Sequence, residues 1–150
     1  MKSIRVNQEW QKALVYYIRY EFIKDAIKKE PEKDFFSAEW EFSGDSITDR
    51  YILVLDDFNN PVSTVRFLID KNNYGLIERV RTLPNEERKG YGKAAMIEAE
   101  CWLHDLGVNK VFVEAIEPAL KFYLNVGYKL SNDPDILRNH DTLLLMEKDI

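Results

Sequence analysis

The chain predicts a mixed α/β fold, a mostly antiparallel sheet with helices on both faces. Three observations carry this expectation. Apolar strand-like runs separated by turn residues fill the stretch from Arg50 to Leu83. Helical spacing replaces them after Pro84. A further strand then follows that helix, and a β-α-β unit implies a right-handed crossover and one locally parallel pair.

Asn7 to Lys29 forms the first helix candidate, with Trp10, Leu14, Ile18 and Phe22 recurring every fourth residue and Ala13, Tyr17 and Ile27 widening that apolar face. Pro31 stops it. "KDFFSAEWEFSGDSITD" is aromatic-rich and irregular and receives no assignment. "RYILVLDD" reads as a buried strand, "FNNP" as a turn, and "VSTVRFLID" and "LIERVRTL" as two more strands joined by "KNNYG". In "GKAAMIEAECWLHDLG" the helical spacing runs through Ala94, Ile97, Cys101 and Trp102, with Gly107 as the cap. "NKVFVEA" is a strand, and "EPALKFYLNVG" a helix with Pro118 in its first turn and Gly127 just past its end. "YKLS" and "TLLLMEKD" complete six strands.

At 150 residues and 45% hydrophobic, the chain has the size of one compact domain, residues 1–150. A net charge of −5 argues against a nucleic-acid partner and suits a cationic substrate better. "MKSIRVNQEW" lacks the apolar centre of a signal peptide and no segment is apolar enough to span a bilayer, so a cytoplasmic protein with no membrane partner is expected. One cysteine excludes an internal disulfide framework and a multi-cysteine zinc site; no metal is expected, and Cys101 reads as a buried structural thiol.

In "PNEERKGYGKAAMIEAE" the acidic chain gathers Arg88, Lys89, Gly90, Tyr91, Gly92 and Lys93 before a helix. The first N–H groups of a helix lack partners and carry positive partial charge, which favours phosphate. Gly90 and Gly92 let a bulky pyrophosphate approach the backbone, and the cations add to the attraction. A solvated turn explains the same residues, and the spacing matches neither the nucleotide P-loop nor the dinucleotide fingerprint.

Downstream, "EAIEPALKFYLNVGYKL" supplies the context, and together the two stretches resemble the GNAT superfamily of acyl-CoA-dependent N-acetyltransferases. That family's pyrophosphate loop has Arg or Gln, two free positions, Gly, a free position, then Gly or Ala; "ERKGYG" has its length and glycines. The later signature is matched by Ala119, Phe122-Tyr123 and Gly127-Tyr128. The resemblance spans about Tyr51 to Lys148, and "YIRYEFIKD", "PVSTVRF", "GLIERVRTL" and "LLLMEKD" are similar to the ElaA-like small acetyltransferases.

The resemblance implies a six- to seven-stranded sheet with a central splayed parallel pair, and acetyl-CoA as cosubstrate lying in the splay. Backbone groups of Val80, Arg81 and Thr82 would meet the pantetheine arm and polarise the thioester. The loop from Arg88 to Lys93 would seat the pyrophosphate, and Tyr123 would protonate the departing thiolate; without the motif Tyr123 reads as a core aromatic. Glu78 is one candidate base. It shares strand parity with Val80 and Thr82 unless a bulge intervenes, and otherwise reads as a paired surface acid. His140 is the other, displaced by about two residues from the position some relatives use, and otherwise an exposed loop histidine. The acceptor would be a small amine or a peptide, bordered by Tyr17, Tyr20, Phe35, Phe36, Trp40 and Phe42, with Arg66 meeting a substrate carboxylate or a structural acid. A homodimer is left open. Two departures bear on the coenzyme: Glu87 replaces Arg or Gln, and Ile116 stands where many relatives have Asn or Gln. They keep open a non-catalytic acyl-CoA-binding or sensing domain, beside an interaction module whose aromatic N-terminal half binds a peptide.

Overall fold

The computed structural model describes all residues except 34–35, 135 and 137–141. It shows a seven-stranded sheet in the order β1-β2-β3-β4-β5-β7-β6. The strands are β1 (Lys2–Arg5), β2 (Arg50–Leu55), β3 (Pro61–Ile69), β4 (Gly75–Thr82), β5 (Lys110–Ala115), β6 (Lys129–Leu130) and β7 (Leu144–Asp149). All neighbours are antiparallel except β4 and β5. The helices are α1 (Glu9–Lys29), α2 (Ala38–Ser43), α3 (Tyr91–Asp105) and α4 (Leu120–Asn125), the last entered through a short 3₁₀ turn, Glu117–Ala119. No helix is long and apolar enough to cross a membrane among the described residues.

The mixed fold and its single parallel pair are as expected. Two elements are additional. The edge strand β1 pairs with β2, Ile4 opposite Leu53. The unassigned aromatic stretch holds α2, started by Ser37, whose hydroxyl accepts the Trp40 amide at 3.1 Å.

After Arg50, β2 is apolar because both of its faces are covered. Ile52 and Val54 join a core beneath α3 and α4, with Val65, Phe67, Ala95, Met96 and Leu103. Tyr51, Leu53 and Leu55 pack with Val15 and Ile18 of α1 on the other face.

Both long helices bury a face rotated from the expected one. In α1 the buried residues are Gln11, Val15, Ile18, Arg19 and Ile23, while Trp10 and Tyr17 are exposed. In α3 they are Ala95, Met96, Ala99, Glu100 and Leu103. Cys101 is exposed, contrary to expectation, because alanines and the Glu100–Lys148 pair, 2.7 Å apart, take the sheet-facing stripe.

The polar residue that turns α1 is Arg19, fully buried. Its Nε donates to Glu41 Oε2 at 2.9 Å, its Nη1 to Asp45 Oδ2 at 2.6 Å, and its Nη2 to the Glu41 carbonyl and Asp45 Oδ1. Arg81 Nη2 donates to Glu41 Oε1 at 2.8 Å. Arg66 is paired with Asp45 and, at 2.5 Å, with Glu78. With Arg79 and Asp49, the network joins four guanidinium groups to four carboxylates under α1 and α2.

Burial pushes the Glu41 carboxyl up, but Arg81 and Arg19 outweigh it and hold the group below the usual range. Glu41→Gln, which keeps the volume and removes the charge, should cost ~3–5 kcal/mol by leaving buried guanidinium groups uncompensated. Urea unfolding would read this, and a loss under 1 kcal/mol would refute the role given to Glu41. Asp45 is likewise pushed up by burial and drawn down to about 2 by hydrogen bonds from Arg19 and Tyr51 and the charges of Arg19 and Arg66. A depressed carboxyl contributes stability above its unfolded pKa and loses it as pH falls through the folded one. Stability should therefore decline between about pH 4 and pH 2, and Asp45→Asn should flatten that part of the pH profile.

Candidate functional site

The site begins where the sheet comes apart. β4 and β5 are paired only from Gly75, Leu76 and Ile77 to Val111, Phe112 and Val113. Beyond that register β4 has no strand neighbour on its β5 side among the described residues, and the two strands diverge. Between them lies a cavity of about 230 Å³, walled by residues 76–81 of β4 and 112–115 of β5.

A bulge shapes the β4 wall. Arg66 pairs with Glu78 and Thr64 with Arg81, so three steps along β4 match two along β3. Arg79, at φ 52, occupies the left-handed region that side-chain-bearing residues rarely adopt. The bulge answers the question of strand parity: Glu78 does not point with Val80 and Thr82. Val80 packs against the α3-side core with Ile77, and the Thr82 hydroxyl meets that of Ser63 at 2.9 Å. Glu78 and Arg81 turn instead to the ion network under α1 and α2.

At the open end of β4 the chain turns into α3. Arg88 (φ 63) and Gly90 (φ 88) are both left-handed, with Lys89 between them, an alternation that gathers successive N–H groups into a concavity. Gly90 is the α3 N-cap, the first turn holds no acid, and Ala94 N–H is bonded to Gly90 O at 3.0 Å. The N–H groups of Tyr91, Gly92 and Lys93 precede that first helical bond and face outward. A Cβ at Gly92 would sit 3.4 Å from Thr82 Oγ1 and 3.5 Å from the Phe122 ring, so the helix starts hard against β4 and α4. Arg88, Lys89 and Lys93 are exposed. Lys89 is paired with Glu86 at 2.9 Å, and neither Arg88 nor Lys93 has an ion-pair partner among the described residues. Glu87 is also exposed, and its charge reaches Lys29 at the end of α1, adding to the larger effect of Asp25 there.

Tyr123, on α4, is 7% exposed and lines the cavity. Burial pushes its hydroxyl up to about 12 against the opposing charge of Arg81, so the phenol is protonated at neutral pH. Its position is fixed by the end of α4. Tyr128 N–H bonds Tyr123 O at 3.0 Å and Gly127 N–H bonds Leu124 O at 3.1 Å, the paired bonds of a Schellman motif. Gly127 has φ +100, and a Cβ there would fall 3.1 Å from Lys148 Cε. The motif folds Tyr128 back on Tyr123, ring centroids 5.9 Å apart. The Phe-Tyr and Gly-Tyr pairs of the sequence are thus one device that locks one tyrosine at the cavity wall.

Of the aromatic residues read as acceptor walls, Phe36 and Trp40 line the cavity, while Tyr17 and Tyr20 are exposed. Phe42 lies instead against Tyr16 and under Arg19. Phe35 and His140 lie outside the described residues. Arg66 is buried on structural acids. Ile116 lines the cavity, placing an apolar side chain at this point of the wall. Sequence reasoning missed Phe22, which it had assigned to the core face of α1, and Arg79, whose exposure to the cavity depends on the bulge.

Residues 14–128 match the acetyltransferase (GNAT) family. The chain is 28% identical over 151 residues to the uncharacterized N-acetyltransferase YjcF of Bacillus subtilis strain 168, covering 99% of this chain and 100% of that protein. It superposes with a TM-score of 0.77 on a Lactobacillus plantarum protein provisionally assigned as an N-acetyltransferase, at 22% identity over 99% of this chain and 97% of the other. The PaiA N-acetyltransferase of Thermoplasma acidophilum, solved in complex with coenzyme A, superposes with a TM-score of 0.67 at 16% identity over the full length of both chains. The splayed strand pair, the bare helix start beside it and the match over residues 14–128 lead to one conclusion: this chain belongs to the GNAT acetyltransferase family.

Proposed function

We propose that the chain is an N-acetyltransferase that moves an acetyl group from acetyl-CoA to the amine of a small molecule or a peptide by direct attack in a ternary complex. The observation that carries this reading is the opening between β4 and β5, bordered by Tyr123 and lying beside the unpaired amides at the start of α3. The coenzyme A in the Thermoplasma structure supports the same cosubstrate here.

In this reading the backbone N–H groups from Arg88 to Lys93 hold the pyrophosphate, with Gly90 and Gly92 giving access and Arg88, Lys89 and Lys93 supplying charge. Tyr91 contributes its amide and packs against the core beside Val80. The pantetheine arm lies along Val80, Arg81 and Thr82, whose backbone polarises the thioester carbonyl; donors placed for a developing oxyanion are worth ~3–4 kcal/mol of barrier. The acceptor, as its ammonium, gives up one proton, taken by the Glu78 carboxylate directly or through water. The amine nitrogen then bonds the carbonyl carbon, the C–S bond breaks as the sulfur receives the Tyr123 proton, and the second proton lost by the nitrogen restores Tyr123 directly or through water. The balance is ammonium plus thioester to amide, free thiol and one proton. Glu87, exposed and directed toward solvent, leaves the amide concavity intact.

Acetyl-CoA at a hundredfold excess over its Kd should stabilise the protein by ~2.7 kcal/mol, a rise in Tm of about 5–10 °C. Thiol release with an amine panel should fall about 10²- to 10⁴-fold in kcat for Tyr123→Phe while acetyl-CoA affinity stays within about twofold. Stabilisation without thiol release from any amine would instead favour a non-catalytic acyl-CoA-binding domain. No stabilisation at millimolar acetyl-CoA would remove both readings.

A further inference from the structure

One cation on the cavity wall is held mostly by dipoles rather than by charge. Arg79 donates through Nη2 to the Trp40 carbonyl at 3.1 Å and through Nε to the Glu41 carbonyl at 3.2 Å. Its guanidinium carbon lies 3.9 Å from the centre of the Trp40 ring. The carboxylate oxygen paired with it, Glu41 Oε1, is 3.6 Å from Nε, beyond hydrogen-bond length, and that carboxylate already serves Arg19 and Arg81. Arg66 and Arg81, by contrast, each have a carboxylate within 2.8 Å. Burial accordingly draws Arg79 down to about 10, with Glu41 only partly opposing it.

The bulge sets this cation beside an anion. The bulge lies between the pairs Arg66–Glu78 and Thr64–Arg81, and Glu78 and Arg79 both line the cavity. A non-glycine residue held at φ 52 costs free energy, and here that strain falls on a residue that lines the cavity. Across from β4 the wall is mostly apolar, with Phe112, Ile136, Leu143 and Leu145, and Glu114 of β5 adds a second carboxylate. Glu78, which also pairs with Arg66, and Arg79 are adjacent on this wall, and together with the apolar side chains across from them they complement a molecule with adjacent ammonium and carboxylate groups and an apolar body.

We propose that the acceptor is a free amino acid with an apolar side chain, its carboxylate bound by Arg79 and its ammonium received beside Glu78. This rests on the acetyltransferase reading above. The carboxylate supplies the full charge that the Trp40 and Glu41 carbonyls cannot, through a charge-assisted hydrogen bond. An amine without a carboxylate forgoes this bond, which separates the two classes by about 10- to 100-fold.

The test compares matched acceptors in a thiol-release assay: L-phenylalanine and L-leucine, their carboxamides, and the decarboxylated amines phenethylamine and isoamylamine. The amino acids should have at least tenfold higher kcat/KM than either counterpart. Arg79→Met, which keeps the chain length at the left-handed position, should raise KM for the amino acids at least tenfold and leave the decarboxylated amines within about twofold. Equal losses for all three sets would assign Arg79 to anchoring α2 and overturn the proposal. So would a wild-type protein with no preference for the carboxylate, a result that needs no variant to fold. Calorimetric titration with acetyl-CoA separates the two readings. Binding without carboxylate preference, or without turnover of any amino acid, sinks the acceptor proposal alone; failure to bind acetyl-CoA sinks the acetyltransferase reading beneath it.

Discussion

The open half of the sheet depends on one buried carboxylate. Past Ile77, β4 loses β5 as a neighbour, and a strand tail with one free edge is poorly restrained. Glu41 supplies the missing restraint. It binds Arg81 at 2.8 Å on the tail itself, Arg19 at 2.9 Å on α1, and lies 3.6 Å from Arg79 at the bulge. Three arginines from α1 and β4 thus converge on a six-residue helix that would hardly persist alone. The splay stays open because α2 is tied to β4 through charge rather than through a strand ladder.

Such an arrangement is costly in isolation, since desolvating each ion costs several kcal/mol. It holds here because the network is balanced, four guanidinium groups against four carboxylates, and nearly saturated with hydrogen bonds. Arg66 Nε is the buried exception in the network, without a hydrogen bond and with Asp49 at 3.7 Å. Buried ionic networks specify one arrangement more than they add stability. In this protein the arrangement specified is the position of the β4 tail, where Val80 and Arg81 flank the cavity.

Much of this was legible before any coordinates. β2, β3, β5 and β7 show as largely apolar runs because both faces of the sheet are covered, and Gly107 and Gly127 mark helix ends because left-handed caps favour glycine. Loop and tyrosine motifs were readable through their mutual spacing. What failed has a common cause. The faces of α1 and α3 were phased on bulk hydrophobes, whereas the sheet-facing stripes carry Gln11, Arg19, Ala95, Ala99 and Glu100. Arg19 reads as a solvent residue until Glu41 and Asp45, more than twenty positions away, arrive to neutralise it. The bulge at Arg79 has no sequence mark of its own, since nothing in "LIERVRTL" departs from a strand. The side of β4 that Glu78 takes was therefore legible only on the condition that no bulge intervened.

The two faces of the sheet divide the work that the proposed reaction requires. The bare start of α3 and the locked Tyr123 lie on one face, while Arg79, Glu78 and the aromatic side chains of Phe22 and Trp40 border the cavity from the other. The gap between β4 and β5 is where material from both faces can meet, in the plane of the sheet. Among the described residues the cavity wall includes no Ser, Thr, Cys, His or Lys, and Cys101 sits exposed on α3 instead. In the proposed reaction the rate comes from holding thioester and amine together, and on that reading turnover rests on the positioning of the β4 tail and so on the buried Glu41 network.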